Sequence, residues 1–273
     1  MTMRVGVLGA LAVWALAFSA CGDDEKAESR VTRAFETGTA PHVVAETVNG
    51  TVQVRVVQRF QGVIATVVTK GWGKDDRRAR EALQDVVVTT DQRGDTVRIT
   101  AEHLDSKLNA GADLFLEVPA GASLELLSTN DCIHVENVQG GLVARTTNGS
   151  ISLEGVSGVV EATTTNGDVH AIVAGAVVQL TTTNGEVGLE GPLGVGRHTV
   201  QTTNGDLNVT LPGDSTFEVD AHTTNGRVST SFPVSGSLRS QGSTLSGTVG
   251  DNPEVFLSLV TTNGSISLDS AGR

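Results

Sequence analysis

"TTTNGDVHAIVAGAVVQLTTTNGEVGL", residues 163–189, decides how this chain is read. Thr-Thr-Thr-Asn-Gly stands in it twice, with Asn166 and Asn184 18 residues apart. Working outward, Thr-Thr-Asn-Gly occurs six times, with its asparagine at Asn148, Asn166, Asn184, Asn204, Asn225 and Asn263. Asn130 in "STNDCIHV" and Asn49 in "VNGTVQV" are degenerate copies. From Asn130 the steps are 18, 18, 18, 20, 21 and 38 residues. A catalytic motif is needed once, whereas a fixed period near 20 residues is the mark of a solenoid or another β array. The last step spans about two periods, so one copy is expected to have lost its motif, within "SLRSQGSTLSGTVGD".

Aligning the six full copies on the asparagine separates two sides of the chain. Six residues before it stand Leu142, Val160, Val178, His198, Val219 and Leu257; four before it stand Ala144, Ala162, Leu180, Val200, Ala221 and Leu259. Three residues after it stand Ile151, Val169, Val187, Leu207, Val228 and Ile266. The positions between are mostly Arg, Glu, Gln, Asp, Ser and Thr. Period two on both sides of the motif means two strands per repeat, each with one buried face. The tetrapeptide is then the corner between them. Its glycine is expected to supply positive φ. Its first threonine faces inward, and the asparagine is expected to join it there. Coils stacked ~4.8 Å apart would let Asn130, Asn148, Asn166, Asn184, Asn204, Asn225 and Asn263 form a side-chain amide ladder. Asn-Gly between alternating strands is equally a hairpin signal, so an antiparallel β meander or sandwich is the alternative fold. Recurrence of the same threonine at the inward position favours in-register stacking, which hairpins do not require.

The N-terminus carries an address. Arg4 precedes 14 uncharged residues, Val5 to Phe18, fewer than the ~20 of a membrane-spanning helix. Phe18-Ser19-Ala20-Cys21 follows and is similar to a bacterial lipobox. Residues 1–20 are read as a signal peptide, Cys21 as the lipidated mature N-terminus, and 21–41 as a flexible tether. An ordinary signal peptide with a stray cysteine is the alternative. Gly22 after the cysteine points to the outer membrane if the host is Gram-negative. With Cys21 acylated, the other cysteine, Cys132, has no disulfide partner and is expected to be a small buried hydrophobe. Losing the signal removes only Arg4 from 19 basic residues, leaving 18 against 31 acidic, a net of −13. That balance argues against nucleic acid and anionic lipid surfaces as partners.

Residues 42–121 form an N-terminal β region. It contains "VVAETVNGTVQVRVV", "ATVVTKGW" and "VVVTTDQRGDTVRITAEH", with a short helix at 75–84 where an aspartate can cap the start and Ala79, Ala82 and Leu83 have helical spacing. Leu114, Leu116 and Val118 alternate up to Pro119. Residues 122–269 are the repeat array. "VNGTVQV", "DDRRAREAL", "DVVVTTDQRGDTVRI", "DLFLEVPAGASLEL", the TTNG corners and the closing "GSISL" together resemble the bacterial exported "putative adhesin" family of unknown function, over roughly 42–269. The resemblance implies a β-helix-like solenoid, no established activity and no catalytic residues to transfer.

Chemistry is sparse. There is no HExxH, CxxC, G-x-S-x-G or P-loop. On the repeat register His170 and His222 point out and His198 points in. Cys132 and His134 sit two apart without an orienting third group. Trp72 is expected to plug one end of the core. Asp168, Glu186 and Asp206, each just after a corner, would line up as a carboxylate column and weak Ca²⁺ candidate, with Arg227 closing it against Asp206. No cofactor is expected. The reading is a non-catalytic, lipid-anchored envelope scaffold for adhesion, binding or assembly, with an unknown protein or glycan ligand. A polysaccharide-active β-helix enzyme is the alternative, since that architecture hosts such chemistry.

Overall fold

The computed structural model describes residues 25–57, 61–104, 109–239 and 242–271. The expected signal peptide and Cys21 lie outside them. Two sheets, of 11 and 12 strands, face each other across one apolar core. A central coil shows the plan. Val159–Thr163 runs in the second sheet, the Thr164–Gly167 corner turns the chain, and Val169–Val173 runs in the first. A turn at Gly175 then returns it to Val177–Thr181, beside its starting strand. Coils pair in parallel and in register, Val160 with Val178 and Val169 with Val187. This is a β-solenoid without a closed barrel. Parallel ladders exclude the antiparallel meander for the array, because hairpin neighbours would run in opposite directions.

The apolar positions of the register are the core. Val160, Ala162, Val169 and Ala171 are each fully buried, as are Val178, Leu180, Val187 and Leu189 one coil later. Burying a valine or leucine side chain is worth ~1.5–3 kcal/mol. A coil only two sheets thick, its inward positions filled by valine, leucine, isoleucine and alanine, has no room for large rings. That accounts for 3% aromatics and no tyrosine. The buried phenylalanines, Phe217 and Phe232, meet edge to face at 5.1 Å at the last coil, where the core must be closed.

Both ends are interleaved. Val255–Asn263 and Ile266–Ala271, last in sequence, insert between the coil of Asn204 and the coil of Asn225. The 38-residue step therefore hides no lost coil. "SLRSQGSTLSGTVGD" instead contributes to the hairpin Ser235–Arg239 and Thr244–Val249, which packs antiparallel on Phe217–Asn225. At the other end, His42–Thr47 and Val52–Val56 insert between the strands Thr96–His103 and Ala110–Val118 and the first repeat coil. Both sheets run through residue 121 without a break. The tether expected over 21–41 is corrected: Glu25–Phe35 is an 11-residue strand, antiparallel to Val63–Gly73. As the outermost strand of its sheet it carries Lys26, Glu28, Arg30 and Arg33, charges that discourage another chain from adding to the open edge.

The helix is Asp76–Asp85, with the Asp75 carboxylate accepting from the Arg78 N–H at 2.8 Å. It lies on Gly71 and Gly73, because a Cβ on Gly71 would be 2.4 Å from the Ala79 carbonyl oxygen. Alternation along the strand sends Trp72 to the opposite, outer face, where it is half-buried. It is not the core plug that composition suggested.

Candidate functional site

The corners are explained by structure. Asn49, Asn130, Asn148, Asn166, Asn184, Asn204, Asn263 and Asn225 form one amide ladder, in that spatial order. Each Nδ2 donates to the Oδ1 of the asparagine before it at 2.7–2.8 Å. Asn49 Nδ2 ends the run on the Ala110 carbonyl at 3.0 Å. The six motif asparagines face water rather than the core, a correction to their expected orientation. The inner side is held by threonine. Thr164, Thr182 and Thr202 are buried, and each hydroxyl donates to the corner carbonyl of the preceding coil, of Gly149, Gly167 and Gly185, at 2.8–2.9 Å. The corner glycine is needed for space. A Cβ on Gly185 or Gly205 would lie 2.0 or 1.9 Å from the carbonyl oxygen of the preceding corner, of Gly167 or Gly185. Positive φ is found only at Gly167 and Gly205 among the motif glycines, both at +154° or more and close to extended backbone.

The acidic column is part of the same frame. Asp168 Oδ1 accepts from the Glu186 N–H at 2.8 Å, and Asp206 Oδ1 accepts from the Ser265 N–H at 2.7 Å. The expected Arg227–Asp206 pair does not form, because the inserted coil places Ser265 between them. Among the described residues no three His, Cys, Asp or Glu side chains converge as a metal would require. Cys132 is exposed rather than buried. It stands two residues after Asn130, the outward column of Ser150 and Asp168. His170 and His222 are exposed as expected.

His198 is fully buried and repairs a defect. The step from Asn184 to Asn204 carries two extra residues, so strand pairing begins only at Gln179 with Thr199. His198 Nδ1 accepts the Val178 N–H at 3.3 Å, and Nε2 donates to the Gly194 carbonyl at 2.8 Å. Burial lowers its pKa, against the opposing effect of the Gly194 bond. A folded-state pKa below the unfolded ~6.5 makes its contribution complete above that pH and lost as pH falls below it. The thermal midpoint is expected to fall from pH 7.5 to 5.5. His198→Leu, matching Leu142 and Leu257 at the same register, is expected to be less stable at pH 7.5 but to fall less. An equal fall in both proteins would remove His198 from the acid response.

What remains is a hollow of ≈ 390 Å³ on the outer face of the first sheet, where parallel array meets antiparallel cap. Phe115 sits half-buried in it. Thr66, Phe115, Gln53 and His134 form one cross-strand row, and Glu117, Arg55 and Glu136 the next. Arg55 Nε donates to Glu117 at 3.1 Å, and that bond raises the guanidinium pKa further. His134 Nε2 lies 2.8 Å from Glu136 Oε1. Arg30, on the rim, has no carboxylate partner among the described residues. The arrangement can stack an apolar ligand face on Phe115 and ring it with planar hydrogen-bonding groups. Sequence reading missed it because five separate segments build it. The one available signal was Phe115 itself, at an outward position between inward Leu114 and Leu116.

Two sheets of parallel coils with antiparallel caps define a β-solenoid scaffold, an architecture that by itself fixes no one chemistry. The profile of the Toastrack DUF4097 family matches residues 42–269, and the chain belongs to that family. Among solved structures it is similar to a putative adhesin from Bacteroides fragilis (11% identity, 89% of this chain and 97% of that one, TM-score 0.42). Others are a putative lipid binding protein from Parabacteroides distasonis (10%, 89% and 97%, 0.41) and a putative cell adhesion protein from Clostridium sporogenes (7%, 89% and 100%, 0.38). No curated protein matches the chain.

Proposed function

We propose that the protein is a non-catalytic binding scaffold of the cell envelope, lipid-anchored through Cys21, and that the Phe115 hollow binds a saccharide. The hollow carries the reading: an outward aromatic ring framed by Gln53, Arg55, Glu117 and Glu136 suits the C–H face and hydroxyls of a sugar ring. A polysaccharide-active enzyme would need a free acid and base. Here Glu117 is held by Arg55 and Glu136 by His134, which favours binding over hydrolysis. Acylation at Cys21 is supported by the residues around it, and Gly22 favours the outer membrane in a Gram-negative host.

A glycan array probed with wild type and Phe115→Ala tests the site. Bound glycans are expected to lose at least about tenfold in affinity with the variant, the worth of ~1.4 kcal/mol of lost stacking. No glycan bound by wild type, with an envelope protein captured instead, would replace the saccharide reading. The anchor has its own test: Cys21→Ser is expected to end fatty-acid labelling and release the protein from membranes. A wild type that takes no label overturns it.

A further inference from the structure

Asn-Gly is the dipeptide best suited to deamidate, since glycine leaves the attacking nitrogen unhindered. This chain has seven, at Asn49, Asn148, Asn166, Asn184, Asn204, Asn225 and Asn263. The reaction is chemically simple. The backbone nitrogen of the glycine gives up its proton and attacks the asparagine Cγ. The Cγ–Nδ2 bond breaks and ammonia leaves, forming a succinimide. Water then opens the ring at either carbonyl to aspartate or isoaspartate. One water enters and one ammonia departs. The glycine N–H must be free for base to reach it, and Cγ must be free to change geometry.

At Asn166, Asn184, Asn204 and Asn263 the ladder withholds both groups, and at Asn49 and Asn148 it engages Oδ1. The N–H groups of Gly167, Gly185, Gly205 and Gly264 donate to the carbonyls of Asn184, Asn204, Asn263 and Asn225 at 3.0–3.1 Å. The Oδ1 atoms of Asn49, Asn148, Asn166, Asn184, Asn204 and Asn263 each accept a neighbour's Nδ2 at 2.7–2.8 Å. Asn225 differs on each count. It ends the ladder, its Oδ1 accepts no bond among the described residues, and the Gly226 N–H has no acceptor among them. Both residues are exposed.

We propose that Asn225 is the chain's site of spontaneous deamidation, and that the ladder shields the other Asn-Gly corners. The product also propagates. A carboxylate at position 225 has no N–H for Asn263 Oδ1 and presents like charge to it. Asn263 Oδ1 is thereby freed while the Gly264 N–H keeps its bond to the Asn225 carbonyl, so Asn263 converts second and more slowly than Asn225, and Asn204 follows it. Conversion therefore runs 225, 263, 204, an order set by stacking and not by the chain.

The experiment is peptide mapping by mass spectrometry of the full exported chain held at pH 8 and 37 °C, with isoaspartate labelling. Asn225 is expected to convert first, with Asn166 and Asn184 at least about tenfold slower, the kinetic worth of the one or two hydrogen bonds that must first break. Asn263 is expected second. In urea all seven should converge on one rate. Equal rates in the folded protein, or an intact Asn225, would overturn the proposal. Asn184→Ala removes the donor to Asn166 Oδ1, so conversion at Asn166 should rise several-fold; an unchanged rate there would overturn the shielding mechanism, independently of the wild-type time course.

Discussion

Gly185→Ala is expected to cost more than ~4 kcal/mol and to leave no cooperative transition near 37 °C, in the range reserved for named steric or core defects. The added Cβ would lie 2.0 Å from the Gly167 carbonyl oxygen and 2.5 Å from its carbon. Both are backbone atoms, so no side chain can rotate away. The coils would have to separate by about 1 Å to reach even tight van der Waals contact. Separation lengthens the Thr182 hydroxyl bond to Gly167, the Asn184 bond to Asn166 and the ladder bonds of both strands. Each is worth ~0.5–1.5 kcal/mol, and the stranded carbonyls cost more. Gly175→Ala is the control. It sits at the opposite turn with φ +80°, and a Cβ there meets nothing within 4 Å. It should lose only the ~1–2 kcal/mol of left-handed strain. Urea unfolding followed by circular dichroism ranks the two. If Gly185→Ala were no worse than Gly175→Ala, the corners would not be in close contact, and the stacking account of the motif would fail.

That contrast shows what was legible in the sequence. Period-two burial, in-register stacking, inward threonines and the helix at Asp76–Asp85 follow from local rules, and local rules can be read from one chain. The asparagine's direction could not be. Strict alternation from an inward Thr164 would turn Asn166 inward too, but the corner bends between them and breaks the alternation. Nor could coil order be read. Near-identical corners are interchangeable partners, so nothing local forbids the strands ending in Asn263 from inserting beneath Asn225, and the 38-residue gap looked like a decayed repeat. Glu25–Phe35 was hidden for another reason. An edge strand is held by backbone bonds to Val63–Gly73 and can carry charge on its outer face, so its composition resembles a tether. Cys132 was misjudged by residue type although its register position, two after Asn130, already pointed outward. The hollow needed all of this at once, since residues 30, 53–55, 66, 115–117 and 134–136 meet only after the first coil is inserted.

Thr182→Val and Thr183→Val, adjacent in the chain, are expected to differ by ~1–3 kcal/mol, the cost of leaving a buried acceptor without its donor. Thr182 is 2% exposed and its hydroxyl donates to the Gly167 carbonyl at 2.8 Å. Valine has nearly the same shape, so no cavity opens and the loss isolates the hydroxyl. Thr183 is exposed, and replacing it by valine should stay within ~0.5 kcal/mol, absorbing any gain from β propensity. Thr146 and Thr223 hold the same role in distant coils, at 3.0 and 2.7 Å. Their losses should therefore add to that of Thr182, as for sites sharing no partner. Chemical denaturation of the singles and of the triple variant reads the sum. If Thr182→Val matched Thr183→Val, the inner hydroxyl row would contribute nothing, and the recurrence of threonine at that position would need a cause outside folding stability.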